Sequence, residues 1–283
     1  MRVTGLGECP SMGLVPAGWA PWQVSVEVGP AIDRDRPESV GPDTAFIRFG
    51  DGSTAEAFRT DPGGRIDLSL ENAVQHDDLA HPYLSAVGML SAFWGDRLPL
   101  HAGAFGLDGR AWVLVATKEG GKSTTLAMLD LAGHPVLADD MTVIDPDHRV
   151  HRGPRLIDLR SDAAASLGVG DNIGVLGVRE RWRYHIGDGP LSLPLGGIIV
   201  PGWGEPAIEP VTGSARLTAL APSLALRVPA GWDELFMDVA LGVPVYRWTR
   251  PRTLEGAQRP IEQLLEVIGA GRENGPFTRT SPT

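Results

Sequence analysis

Cysteine is nearly absent from this chain: Cys9 is the single one in 283 residues. An intrachain disulfide is excluded, and so is a metal site built on several thiolates. Such usage suits a reducing compartment, so a cytoplasmic location is expected. Positive charge is also in deficit. Lys and Arg number 25 against 35 acidic residues, a formal net charge of −10. That surface repels nucleic acid and anionic membrane, so neither is an expected partner, although the balance still allows a local basic pocket for one nucleotide. No apolar run approaches the roughly 18 residues needed to span a bilayer, and the opening MRVTGLGECPSMG has no signal-peptide apolar core. There is no internal repeat and no extended low-complexity tract.

What is present is an ordinary globular composition, with 42% hydrophobic and 21% charged residues. The length suffices for one large domain, or for a catalytic domain with a small companion. Glycine (36) and proline (24) are plentiful, which predicts many turns and short strands. Residues 22–28 alternate apolar and polar side chains, and residues 44–49, 54–58 and 65–70 continue in strand-like runs separated by Gly, Asp and Pro turns. Residues 1–80 therefore read as a β-rich region, with 29–42 as an exposed loop. Trp19 and Trp22 are either a ligand platform or filler in a small β core. Over 81–95, Leu84, Val87, Leu90 and Phe93 or Trp94 recur at helical spacing, with Gly95 as a C-cap. An apolar strand over 98–107 follows, with His101 inside it. The turn Asp108-Gly109 leads into a partner strand at 111–115.

Residues 111–145 carry the densest chemistry. An apolar strand enters a glycine loop ending Gly120-Gly121-Lys122-Ser123-Thr124, and a helix follows to Gly133. A strand at 135–138 then ends in Asp139-Asp140. A strand–loop–helix junction of this kind offers backbone amides and a helix N-terminus to an anion. In the phosphate-binding pattern the lysine reaches the β/γ-phosphates and the hydroxyl binds Mg²⁺. Residues 119–124 are thus the nucleotide-binding candidates, with Lys122 on the phosphates and Ser123 on the metal. Ala116 stands where the pattern has its first glycine. Glu119 needs solvent or a cation, for which Lys118 is a candidate. Two acids at the end of a buried strand are costly without a cation, and Mg²⁺ is the candidate.

Leu100-His101-Ala102-Gly103-Ala104, then Gly121-Lys122-Ser123, then Leu137-Ala138-Asp139-Asp140 resemble the HPr kinase/phosphorylase catalytic domain. The likeness is greatest to the HPr-kinase-like proteins of peptide natural-product clusters, including lasso-peptide tail kinases, and it covers about residues 81–268. The stretches at 153–159, 193–200 and 244–251 follow in the same order. The resemblance implies an α/β fold: a P-loop HPr-kinase-like core with a mixed sheet and flanking helices, preceded by the small β-rich N-terminal region. It implies an ATP- and Mg²⁺-dependent kinase acting on a serine of a peptide or protein, such as a natural-product precursor. It further implies that Asp139 is the base, held by His101, that Asp140 and Ser123 hold Mg²⁺, and that the protein forms a homo-oligomer. The alternative is a catalytically degenerate nucleotide-binding accessory protein.

In the remaining chain, Arg179, Arg181 and Arg183 alternate, so on a strand they share one face. That face is either solvated or a contact for phosphate or acceptor, and Arg181 and Arg183 are the candidates for the latter. His148 and His151 are assigned to the surface. A strand at 198–200 ends at Pro201-Gly202. An amphipathic helix is expected over 232–241, a strand over 243–248 and a helix over 261–268 with Pro260 at its start. The expected division is 1–80, a kinase-like domain at 81–270, and a disordered tail at 271–283.

Overall fold

Alternation gives each N-terminal strand one apolar face, and that face needs a cover. The computed structural model describes residues 2–4, 19–29, 36–116, 119–225 and 234–270. Its first strands are β1 (Arg2–Thr4), β2 (Pro21–Val28), β3 (Ser39–Val40), β4 (Thr44–Arg48), β5 (Thr54–Arg59) and β6 (Gly64–Leu70). They form one sheet in the order β1-β2-β6-β5-β4-β3. The cover is helix α1 (Tyr83–Phe93), whose Leu84, Val87 and Leu90 pack among Val24, Ile66 and Leu68. Trp94 stacks on Trp22 with ring centroids 5.7 Å apart, so Trp22 is core filler. The cluster also takes Leu176, from a later strand.

The chain continues through β7 (Leu98–Leu100), β8 (Gly103–Leu107), β9 (Arg110–Leu114), α2 (Lys122–Leu131), β10 (Val136–Ala138), β11 (Thr142–Ile144) and β12 (Arg149–His151). Next come β13 (Leu156–Leu159), α3 (Ser161–Leu167), β14 (Asp171–Leu176), β15 (Arg179–His185) and β16 (Ser192–Trp203). The remainder is β17 (Ala207–Pro210), α4 (Ala215–Leu220), α5 (Glu234–Gly242), β18 (Val245–Arg250) and α6 (Gln258–Ala270). Nine strands build the second sheet, in the order β10-β8-β9-β16-β12-β11-β7, with β18 on β16 and β17 on β18. β16 runs parallel to β9 and β18 but antiparallel to β12, so the sheet is mixed. β13, β15 and β14 form a third, antiparallel sheet. The fold is thus mixed α/β with flanking helices.

Side-chain alternation along β9, β16 and β18 sorts the large sheet into two cores. On one face Val113, Ile198 and Val245 meet Leu220 of α4 and Phe236, Val239 and Ala240 of α5. On the other, Leu114, Ile199 and Trp248 meet Leu126 and Leu129 of α2 and Ile261, Leu264 and Ile268 of α6. The start of α2 is therefore anchored against the central strands.

Three elements differ from expectation. The strand foreseen over 98–107 breaks at His101-Ala102, because the chain changes neighbours there: β7 pairs with β11, whereas β8 pairs with β9 and β10. β16 does not stop at Pro201-Gly202 but runs on to Trp203, since beyond Ile199 it has only β18 beside it and the open side asks for no proline amide. Helix α6 starts earlier than foreseen, at Gln258, and Pro260 sits in its first turn, where the missing amide has no intrahelical partner to lose. Strands β14 and β17 and helix α4 had no clear periodic signal. Among the described residues no helix is long and apolar enough to cross a membrane. Cys9, Lys118, Trp232 and the tail at 271–283 lie outside the described residues.

Candidate functional site

The loop between β9 and α2 is shaped by two left-handed residues. Glu119 has φ 69° and Gly121 has φ 74°. Only glycine fits at 121, because a Cβ there would stand 2.7 Å from Arg250 Nη2 and 2.7 Å from the Trp203 ring. The Gly121 carbonyl accepts from Thr125 Oγ1 at 2.8 Å, closing the first turn of α2. Beneath the loop lies Arg250, only 2% exposed. Its Nη2 donates to Gly120 O at 3.0 Å and to Thr125 Oγ1 at 3.0 Å. Its guanidinium sits 4.4 Å from the Trp203 ring centroid and 4.3 Å from that of Trp248. Burial pushes Arg250 down to about 10. The sequence signal for Arg250 was slight: an arginine on a strand otherwise flanked by aromatics.

The loop opens onto a cavity of about 500 Å³. Of the residues singled out from sequence, His101, Glu119, Gly120, Gly121, Lys122, Ser123, Thr124 and Asp140 line it, and Asp139, Arg181 and Arg183 do not. Met128, Ala163 and Leu254 make its farther wall more apolar. Glu119 turns to Arg160, whose Nη2 donates to it at 2.9 Å on the exposed rim, so the cation that meets this carboxylate includes Arg160.

Lys122 Nζ is buried and has no hydrogen-bond partner among the described residues. It lies 3.7 Å from carboxylate oxygens of both Asp139 and Asp140, near enough for ionic attraction but beyond hydrogen-bond length. A buried ammonium with unused N–H groups, at a helix N-terminus beside a cavity, has the donor set an anion requires.

The acid pair is divided by its backbone. Asp139 closes β10 with its side chain 7% exposed. Asp140 is left-handed, φ 68°, and 31% exposed, and its amide donates to Asp139 Oδ1 at 2.9 Å. The resemblance implied that His101 holds Asp139. The structure corrects this: His101 Nε2 lies 3.1 Å from Asp140 Oδ1, because the left-handed turn swings Asp140 outward while Asp139 stays beneath Lys122. His101 itself is about half exposed, at the break between β7 and β8. Burial pushes the Asp140 carboxyl up, but the His101 hydrogen bond and the charges of His81 and Lys122 outweigh it and hold the group well below the usual carboxylate range.

Arg181 and Arg183 do not face the cavity as contacts for phosphate or acceptor. They are 8% and 2% exposed, and both are consumed by Asp158. Arg181 Nη1 donates to Asp158 Oδ2 at 3.0 Å, and Arg183 Nε to Asp158 Oδ1 at 2.9 Å. Arg183 also reaches Asp78 at 2.5 Å. Alternation did put them on one face, but that face is covered by the segment preceding α1. Arg179, on the same strand face, is exposed and lines the cavity. Burial pushes Asp158 up, but the Arg183 hydrogen bond and the charges of His81, Arg183 and Arg181 prevail, so its pKa is lowered. Its contribution to stability is thus full above the ordinary carboxylate pKa and disappears only as pH falls through the depressed value. Asp158→Ala, which removes the buried carboxylate shared by two buried guanidiniums and leaves Arg181 without an acidic partner among the described residues, is expected to lower stability by about 3–5 kcal/mol, measurable by urea unfolding at neutral pH. Nor is His151 on the surface. It is buried, with Nε2 at 2.7 Å from Asp145 Oδ2 and its ring edge-on to Trp19.

Among the described residues no three or more His, Cys, Asp or Glu side chains are placed so that they could hold a metal ion on their own. Ser123 and Asp140 nevertheless both line the cavity beside Lys122. That set fits Mg²⁺, which takes one or two carboxylates and completes its shell with phosphate oxygens and water.

These features define an α/β protein with an anion-suited cavity at a strand–loop–helix junction. The chain is similar to the solved Hpr(Ser) kinase/phosphatase from Coxiella burnetii, at 14% identity and a TM-score of 0.30, over 62% of this chain and 90% of that one. No protein-family model and no curated protein matches it.

Proposed function

We propose that the protein is an ATP- and Mg²⁺-dependent phosphotransferase that phosphorylates a serine hydroxyl of a peptide or protein. The observation that carries this reading is Lys122, a buried ammonium that has no hydrogen-bond partner among the described residues, at the start of α2, lining the cavity with a carboxylate oxygen of each of Asp139 and Asp140 at 3.7 Å. Lys122 and the amides of Gly120–Ser123 would hold the phosphates. Ser123 and Asp140 would hold Mg²⁺, which spreads the charge of the transferring group. His101 orients Asp140. Asp139, the other carboxylate beside Lys122 at 3.7 Å and set just behind the cavity wall, would take the acceptor proton. Its low exposure keeps bulk water away, which favours transfer to a bound hydroxyl over hydrolysis.

A second reading, a nucleotide-binding accessory protein without catalysis, is favoured by Ala116 and by Glu119, whose carboxylate adds negative charge to the phosphate loop. Incubation with labelled ATP, Mg²⁺ and candidate peptides from the gene neighbourhood separates the two. Phosphoserine on an acceptor, lost in Asp139→Asn while ATP binding persists, is the expected result. ATP binding with no transfer to any acceptor supports the accessory protein instead.

A further inference from the structure

The segment that leads into α1 reaches the acid pair. His81 lies between the short 3₁₀ turn His76–Ala80 and α1, and its imidazole is only 15% exposed. Its Nε2 is 3.4 Å from Asp140 Oδ2, the oxygen that His101 leaves open. Its Nδ1 is 3.9 Å from Asp158 Oδ2. Arg183 fixes this segment at two points, donating to Asp78 at 2.5 Å and to the His81 carbonyl at 3.3 Å. Pro82 then starts α1, which is packed across the N-terminal sheet. His81 is thus carried on a braced backbone.

Arg181 Nη1 stands 3.3 Å from the same Nε2. A guanidinium only donates, so Nε2 either accepts from Arg181 or gives its own hydrogen to Asp140. Arg181 already donates through Nε to Leu176 O at 3.0 Å and through Nη1 to Asp158. The imidazole thus stands between the Asp140 and Asp158 carboxylates, at 3.4 Å and 3.9 Å, near enough for electrostatic attraction to both. Asp140 is thus approached at both oxygens, at Oδ1 by His101 from the rim at 3.1 Å and at Oδ2 by His81 from the interior at 3.4 Å. A side chain on a left-handed turn, 31% exposed, otherwise has rotamers to sample.

We propose that His81 is a positioning residue for Asp140: it fixes the carboxylate in the orientation that serves Mg²⁺-nucleotide, and thereby joins the α1 segment to the phosphate end of the cavity. This rests on the reading of that cavity as a Mg²⁺-nucleotide site. The arrangement is the one by which outer hydrogen bonds tune a metal-ligating group.

The test is calorimetric titration of the full chain with ATP, in Mg²⁺ and in EDTA. The wild type is expected to bind ATP more tightly with Mg²⁺. His81→Leu is expected to lose about tenfold or more of that Mg²⁺-dependent gain, the usual cost of removing such a partner, with ATP affinity in EDTA unchanged. His81→Gln, which keeps an N–H donor at similar reach, restores most of the gain. A purely structural role would lower thermal stability without changing the ratio of affinities, and that outcome overturns the proposal. Should the leucine variant not fold, His81→Ala and Asp140→Asn are compared singly and together. Losses of the Mg²⁺-dependent gain that fall short of additive support the coupling, and fully additive losses overturn it. A wild-type protein that binds ATP with no Mg²⁺ gain overturns the positioning role alone, whereas one that binds no nucleotide overturns the underlying reading too.

Discussion

Lys122→Met is expected to reduce phosphoryl transfer by about 10²–10³-fold, the cost of losing one preorganised charge at a transferring group. ATP affinity falls with it, because Nζ has no hydrogen-bond partner among the described residues and can donate to an incoming anion. The fold should survive. Met is close in volume to the lysine stem and removes a poorly satisfied buried ammonium, although Asp139 loses its nearby cation. These terms oppose each other. A variant with wild-type circular dichroism and a small change in melting temperature, but no transfer, is the expected outcome. Undiminished ATP binding in the same calorimetric titration would show that the phosphates bind elsewhere.

The second large effect is at Arg250, which lines the cavity and clamps the loop that shapes it. Arg250→Leu leaves the Gly120 carbonyl and Thr125 Oγ1 without their donor and removes the cation between Trp203 and Trp248. The expected loss is about 2–4 kcal/mol of stability, combining orphaned acceptors with desolvated cation–π contacts. Nucleotide affinity is expected to fall as well, by about tenfold to a hundredfold, since small misplacements of a binding loop cost that much. Arg250→Lys should recover little, because a point charge cannot lie flat between two indoles and also reach the loop. Urea unfolding together with ATP titration of both variants measures the two effects. Wild-type affinity in a destabilised Arg250→Leu would show that the loop holds its shape without the clamp.

Much of the site was legible because its signals are local. Gly121-Lys122-Ser123 and the apolar strand before it define a strand–loop–helix junction within a few residues, and α2 begins at Lys122 as that pattern requires. The acid pair sits at the end of a short buried strand, as the sequence indicated. What was missed depends on partners distant in the chain. Arg250 lies 130 residues from Gly120, and Arg183 lies 105 residues from Asp78. Alternation correctly put Arg181 and Arg183 on one face, but a period of two carries no information on whether solvent or a buried carboxylate covers that face.

The amino-acid sequence by itself determined the strongly periodic elements and their apolar faces, and the loop where a lysine, a hydroxyl and two carboxylates are close at hand. Those follow from backbone preference and side-chain periodicity over short spans. Only the tertiary structure decided which carboxylate turns outward, that His101 and His81 both stand beside Asp140, and that a buried arginine clamps the loop from below. Each of these depends on a left-handed residue or on strand neighbours brought together across the sheet, and free-energy differences of that kind arise only when the whole core has packed.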